Sequence, residues 1–198
     1  MAESVLGFLP NSMLIMGRDP ELIYAFSMLS SAVLRESTKV SLWKVLTLVI
    51  KQLVLVAKRH RRAPAAGIST ELKWLIANVS SSATNSHYCQ MHTAHSVHRA
   101  NVALEKIRQI NAFETSPLFS DGEKAALRLA QSFSDEKRRV PQEEIHREVS
   151  LYFSEGEILQ MTASVSLFGF LDRWNRLLDT ELEEAPRQLF EVLLSEAD

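Results

Sequence analysis

The sequence predicts an all-helical protein, and three observations carry that expectation. The chain holds only six glycines and six prolines in 198 residues, about half the usual combined share of roughly 12%. Sheets need many tight turns, and turns draw on those two residues. No Gly or Pro stands between positions 21 and 63 or between 68 and 116. Along these stretches apolar residues recur at spacings of three and four, the helical period. Helix-start signals also recur, while nothing reads as a strand, a repeat or a linker.

The first helix is expected after Asp19-Pro20, with Asp19 as N-cap and Pro20 in the first helical position. Leu22, Ala25, Phe26, Leu29 and Ala32 or Val33 form its apolar stripe. A second helix, from about Ser41 to Arg61, is apolar except along Lys44, Thr47, Lys51 and Lys58. A helix so apolar belongs at the centre of a bundle or in a subunit interface. The basic run Lys58 to Arg62 suits the negative end of its dipole, with anion binding as the lesser reading. Ser69 then caps a helix with Leu72, Leu75, Ile76 and Val79 on one face, and the polar run Ser80 to Ser86 is expected to break it. The next helix opens near Asn85 or Ser86 and carries residues 87–110. Asp121-Gly122 opens another, and Pro141 leads a short one with acids in its first turn. Ser154 and Glu157 form a capping box before a long helix over 155–178. An amphipathic piece from Arg187 to Leu194 closes the chain.

Composition narrows the function classes. Lys and Arg number 22 against 24 acids, a net charge of −2, and nucleic-acid binders usually show a basic excess. The longest apolar stretch, Val40 to Ala57, contains Lys44 and Lys51. Each would cost about 2.5–3.5 kcal/mol inside a bilayer, so no membrane span is expected. The N-terminus lacks the pattern of a signal peptide. Cys89 is the single cysteine, which bars an internal disulfide and fits a reducing, cytoplasmic setting.

Four of the six histidines, His87, His92, His95 and His98, fall within twelve residues together with Cys89. The series Cys89, His92, His95, His98 is spaced by three, so it drifts by about 60° per step around a helix of 3.6 residues per turn. Two neighbours can meet at one site, but all four cannot. Cys89 stands in the first turn of its expected helix, where unpaired N–H groups and an imidazolium from His92 would stabilise a thiolate. The plain alternative is a buried, inert cysteine beside surface histidines. Glu71 lies in the first turn of the preceding helix, where any acid is favourable.

Residues 71–95, ELKWLIANVSSSATNSHYCQMHTAH, resemble the core of the AhpD-like alkylhydroperoxidase and carboxymuconolactone decarboxylase superfamily. SDGEKAALRLAQSFS and FGFLDRWNRLLDT resemble its later helices. The resemblance spans roughly residues 20–180 of a single domain over 1–198, leaving 1–19 and 185–198 peripheral. It implies an AhpD-like helical bundle assembled as dimer, trimer or hexamer, with the site near a subunit interface. By position, Cys89 matches the second cysteine of the family's CxxC and Ser86 stands in place of the first. His92 matches the following histidine, and Glu71 the glutamate of a proton relay. Tyr88 would pack beside the site, with His95 further out.

Two departures are plain: the motif is SxxC, and the polar break before it is a few residues longer. A serine cannot resolve a sulfenic acid into a disulfide, so an external thiol must do so. Ser86 can instead hydrogen-bond the thiolate. The resemblance therefore implies an antioxidant, peroxidase-like oxidoreductase. It would take a peroxide or another small molecule and use a thiol reductant. Cys89 would be the nucleophile, and Glu71 the base through His92 or water. Three alternatives stay open. One is lactone decarboxylation through His92 and Glu71, and another is an inactive oligomeric interaction protein. The third is a metal site of Cys89 and His92 with His87 or His95. No second cluster supplies further ligands, so neither metal nor cofactor is expected.

Overall fold

The computed structural model describes residues 11–34, 47, 50, 54, 67–135, 137 and 140–195. The chain divides into two compact units, Met1–Ala66 and Gly67–Asp198. Among the described residues every regular element is helical, as the sparse turns required. None of these helices is long and apolar enough to cross a membrane.

In the first unit, α1 (Asn11–Met16) packs on α2 (Pro20–Leu34). The Asp19 carboxylate accepts from the backbone N–H groups of Glu21 and Leu22 at 2.9 and 3.1 Å, the expected cap. Leu29 and Val33 from the expected stripe remain exposed. Of the helix expected over 41–61, only Thr47, Ile50 and Val54 are described. All three are helical, and Ile50 and Val54 are exposed. Lys44, Lys51 and the basic run Lys58 to Arg62 lie outside the described residues.

The second unit opens with α3 (Thr70–Ala83), capped by Ser69, whose hydroxyl accepts from Leu72 N–H at 3.0 Å. Leu75 and Ile76 are fully buried, and Leu72 and Val79 nearly so. Each such side chain contributes about 1.5–3 kcal/mol through removal from water. The helix does not break at Ser80. It continues through the serines because the two most buried find partners, Ser80 bonding Ser134 at 2.7 Å and Ser81 bonding Asp172 at 3.1 Å, while the Ser82 hydroxyl is left without one. Small hydroxyls that are hydrogen-bonded can be buried without the cost of an unmet polar group. The reversal falls at Thr84–Asn85–Ser86, where Asn85 takes φ 55°, a left-handed conformation that Asn tolerates.

Helix α4 (His87–Arg99) then runs back along α3. It ends earlier than expected, because Asn101 takes φ 65° and turns the chain into the short α5 (Leu104–Arg108) and a 3-10 turn over Ile110–Ala112. Helix α6 (Asp121–Ser134) starts with a capping box of Ser120 and Glu123 and buries Ala125, Leu127 and Leu129 against α3. Helix α7 (Gln142–Val149) packs on α6 through Ile145 and Val149. Helix α8 (Glu155–Leu178) carries the expected Ser154–Glu157 capping box and packs on α3, α4 and α6. Helix α9 (Glu184–Ser195) starts three residues before the expected amphipathic piece and lies on α4. The α3–α4 hairpin is thus held between α6, α8 and α9, and its turn faces the C-terminal half of α8.

Candidate active site

Cys89 is the third residue of α4 and is only 3% exposed. Ser86 occupies the N-cap position but makes no capping bond, and its hydroxyl acts on the thiol to lower its pKa. From α8, Asn175 Nδ2 donates to Cys89 Sγ at 3.4 Å. The Asn175 carbonyl oxygen accepts from Thr180 Oγ1 at 3.1 Å, which fixes the amide so that its NH2 faces the sulfur. Thr180 reaches that place because Asp179 ends α8 in the left-handed conformation, φ 48° and ψ 50°.

Asp172 precedes Asn175 by three positions and so shares its helix face. It is 1% exposed. Ser81 Oγ donates to one carboxylate oxygen at 3.1 Å and Thr84 Oγ1 to the other at 2.8 Å. The carboxylate acts on the Cys89 thiol and pushes its pKa up. No cation forms an ion pair with it among the described residues. Arg176 instead donates to the Thr84 carbonyl at 2.7 Å.

Burial pushes the Cys89 thiol above its ordinary range. The Ser86 hydroxyl and the hydrogen bond from Asn175 work against this, and the Asp172 carboxylate adds to it. The site thus works against the thiolate that the helix terminus and His92 were expected to stabilise, because a buried sulfur loses water and faces a carboxylate.

The other residues singled out by sequence lie around or away from this pocket. His92 sits one turn after Cys89, with its Nε2 2.6 Å from Glu183 Oε2. Tyr88 donates to the second Glu183 oxygen at 3.1 Å, and the Tyr88 and His92 rings lie 4.4 Å apart. The His92 bond holds the Glu183 carboxyl below its usual range, and burial together with Glu183 raises the Tyr88 hydroxyl. His95 lies further along α4; burial lowers its pKa, and Arg99, His92 and His98 add to that. No group of three or more metal-ligating side chains converges among the described residues, so Cys89 is not joined by two histidines.

Glu71 is not brought to the thiol. It stands ten residues before Ser81 on α3, about 15 Å away along the helix axis. There its carboxylate lies 3.5 Å from Lys106 Nζ, which also bonds Glu123 at 2.6 Å and stands over the Phe119 ring. The groups around the sulfur that the sequence reading passed over are Asp172, Asn175, Ser81 and Thr84. Their signal lay in the segment FGFLDRWNRLLDT, where an acid and an amide three apart share a face. Which face met Cys89 was not readable without the packing of α8 on the hairpin.

A cavity of about 400 Å³ adjoins the cluster, lined among others by Thr84, Leu129, Phe133, Val165 and Arg173. A more polar one of about 350 Å³ lies on the other side of the hairpin turn, beside Ser82, Asn85, Gln90 and Asn111.

The chain is similar to solved structures of the debrominase Bmp8. Identity is 32% and the TM-score 0.61, with 97% of this chain and 87% of that one covered. One of those structures is apo, and the other is a cysteine-to-alanine variant in complex with 2,3,4-tribromopyrrole. It is also similar in fold to a protein of unknown function from Agrobacterium tumefaciens, described as an antioxidant defence protein AhpD. Identity there is 14% and the TM-score 0.56, over 75% of this chain and 99% of that one. No protein-family profile matches the chain, and no curated protein does. With a relative of this identity and coverage, and with the all-helical fold in place, the chain belongs to the AhpD/carboxymuconolactone decarboxylase-like superfamily.

Proposed function

We propose that this protein is a thiol-dependent oxidoreductase in which Cys89 reduces a small electrophile by two electrons and an external thiol restores it. The observation that carries the reading is the environment of the sulfur: Asn175 donates to it, the Ser86 hydroxyl favours its charged form, and the buried Asp172 carboxylate acts on it from the same helix face as Asn175. Donors stabilise the sulfur as it gains negative charge, and an acceptor is needed for the proton it loses.

A peroxide is the first substrate class, because a small molecule suits a sulfur this deeply buried. The sulfur attacks one peroxide oxygen, the O–O bond breaks, and the departing alkoxide or hydroxide leaves as an alcohol or water. Cys89 becomes a sulfenic acid. Ser86 cannot resolve it, so one external thiol condenses with it to a mixed disulfide and releases water. A second external thiol then frees Cys89 and leaves as a disulfide. The row Phe170, Trp174, Leu177 and Leu178 is exposed on α8, which supports a homo-oligomer; sedimentation velocity measures it.

A second reading keeps the same sulfur and changes the electrophile. The likeness to a debrominase, whose cysteine-to-alanine variant was crystallised with a tribromopyrrole, favours halogen removal from a heteroaromatic ring. The decisive experiment is anaerobic turnover with dithiothreitol or glutathione, offering cumene hydroperoxide in one arm and a polybrominated pyrrole in the other. Thiol-dependent peroxide loss, absent in Cys89→Ser, is the expected result. Bromide release that Cys89→Ser abolishes would select the second reading. Turnover that Cys89→Ser leaves unchanged would remove the role of Cys89 altogether.

A further inference from the structure

We propose that Asp172 is the proton acceptor for the Cys89 thiol, an assignment that rests on the thiol chemistry proposed above. Three observations converge on it. First, Asp172 is a carboxylate 1% exposed on the helix face that also sends Asn175 to the sulfur. Second, both of its oxygens are anchored by hydroxyls, Ser81 on one and Thr84 on the other, so its position is fixed while lone pairs remain for the S–H. Third, no cation among the described residues pairs with it, so nothing in the fold requires a buried carboxylate here for ion pairing. A buried charge without such a partner is costly and is retained at functional positions more often than at purely structural ones.

Glu71, the acid expected for this task, is about 15 Å away along α3 and engaged by Lys106. His92 is held by Glu183 at the surface of α4. Of the acids described here, Asp172 is the one that shares a helix face with Asn175, which reaches the sulfur, and the one whose charge acts on the thiol.

The step balances without a further reactant. As the sulfur attacks a peroxide oxygen, the S–H proton passes to Asp172 and the S–O bond forms while the O–O bond breaks. The departing alkoxide then takes the proton back from Asp172. Sulfur is oxidised by two electrons, the peroxide is reduced by two, and Asp172 ends as it began. A carboxylate is ordinarily a much weaker base than a thiolate, so the proton moves during the attack rather than before it. Asn175 supplies a donor to the sulfur as its charge grows.

The charged and titratable groups around the pair are few. Arg173 and Arg176 share α8 with Asp172, and Arg176 is fixed on the Thr84 carbonyl. Tyr88 and His92 share α4 with Cys89 and are bound to Glu183, just ahead of α9. From α3 and its turn, the groups that reach the carboxylate are the hydroxyls of Ser81 and Thr84.

The test is the pH profile of alkylation by iodoacetamide, a neutral electrophile, in the full chain. Cys89 is the single cysteine, so the label reports on it alone, and no peroxidase turnover is needed. With Asp172 as acceptor, the logarithm of the rate stays level between about pH 6 and 8. In Asp172→Asn it falls about tenfold per pH unit as the pH drops, and at pH 6.5 the rate is on the order of 100-fold below wild type. A wild-type slope of one, with Asp172→Asn displaced to lower pH and faster at neutrality, would overturn the proposal: the carboxylate would then only repel the thiolate. A level profile that survives Asp172→Asn would overturn it as well, assigning the proton to another group. Where Asp172→Asn does not fold, Thr84→Val serves, since it keeps the carboxylate and releases one of its anchors. The level rate should then fall severalfold, and an unchanged rate counts against Asp172. Absent peroxide turnover with a level wild-type profile would remove the peroxide reading and leave Asp172 in its role.

Discussion

The two ends of α3 hold the two polar clusters of the second unit, and they are built on opposite principles. At the N-terminal end, Glu71, Lys106 and Glu123 form a chain of paired charges in partial contact with water. At the C-terminal end, Ser81 and Thr84 hold one buried carboxylate beside a buried thiol. Charges that neutralise one another at a wet surface stabilise modestly and carry no chemistry. A carboxylate kept dry among hydroxyls, with a nucleophile as its neighbour, has its reactivity set by the fold. One helix thus separates an acid that serves structure from an acid placed to serve a reaction.

The two ends also titrate in opposite directions. Burial alone would raise the Glu123 carboxyl, but the Lys106 and Ser120 bonds more than offset it and hold it below its usual range. A carboxyl depressed in the fold adds stability that is present above the unfolded pKa, near 4.3, and is lost as pH falls through the lower folded value. Cys89 is the reverse case. Its folded value is raised by burial, so its contribution is complete below the ordinary thiol value near 8.5 and is lost as pH rises through the folded one.

The largest expected effect tests whether the two ends share one support. Leu75 lies between them and is fully buried, so Leu75→Ala should cost about 2–5 kcal/mol in urea unfolding. It should also speed alkylation of Cys89 by loosening the hairpin; a variant destabilised by less than 1 kcal/mol would mean the ends are supported separately. Next comes the buried cluster. Asp172→Ala leaves the Ser81 hydroxyl without its acceptor and the Thr84 hydroxyl with the Ser81 carbonyl alone, and should cost about 1–3 kcal/mol, read from the same urea midpoints. A neutral result would mean that water replaces the carboxylate.

Lys106→Met breaks the charge end alone. Stability should be lower than in wild type from about pH 6 to pH 9, where the pairing is complete, and should rejoin wild type in acid as Glu123 takes up its proton, because that carboxyl loses the partner that depresses it. Circular dichroism against pH measures both limbs, and an unchanged acid limb would contradict the pairing. Cys89→Ser is the mirror experiment, flattening the alkaline limb and leaving the acid one. The smallest effect belongs to Glu71→Gln. Being half-exposed and 3.5 Å from its partner, it should change stability by less than about 1 kcal/mol and Cys89 alkylation by less than twofold. A large loss of thiol reactivity in that variant would reinstate Glu71 as the base.

Much of the fold was legible because it depends on local signals. Asp19, Ser69 and Ser154 cap helices as their spacing to the following N–H groups requires. The apolar face of Leu72, Leu75, Ile76 and Val79 became the core. The Ser80–Ala83 run was misjudged for an equally local reason: serines favour helix ends unless tertiary partners absorb their hydroxyls, and Ser134 and Asp172 lie 54 and 91 residues away. The residues around the thiol divided in the same way. Cys89 and Ser86 stood out from their own neighbourhood in the chain, whereas Asp172 and Asn175 did not.

By itself, the sequence determined the all-helical class, the position of Cys89 in the first turn of its helix, and the lack of a second thiol to resolve it. These follow from composition, helical period and residue identity, which need no knowledge of packing. Only the tertiary structure decided which acid lies beside the sulfur, and that burial pushes the thiol pKa up. Both depend on the turn at Asn85 and on how α8 lies across the hairpin, and burial and the approach of charges are set by distances through space that residue spacing does not encode.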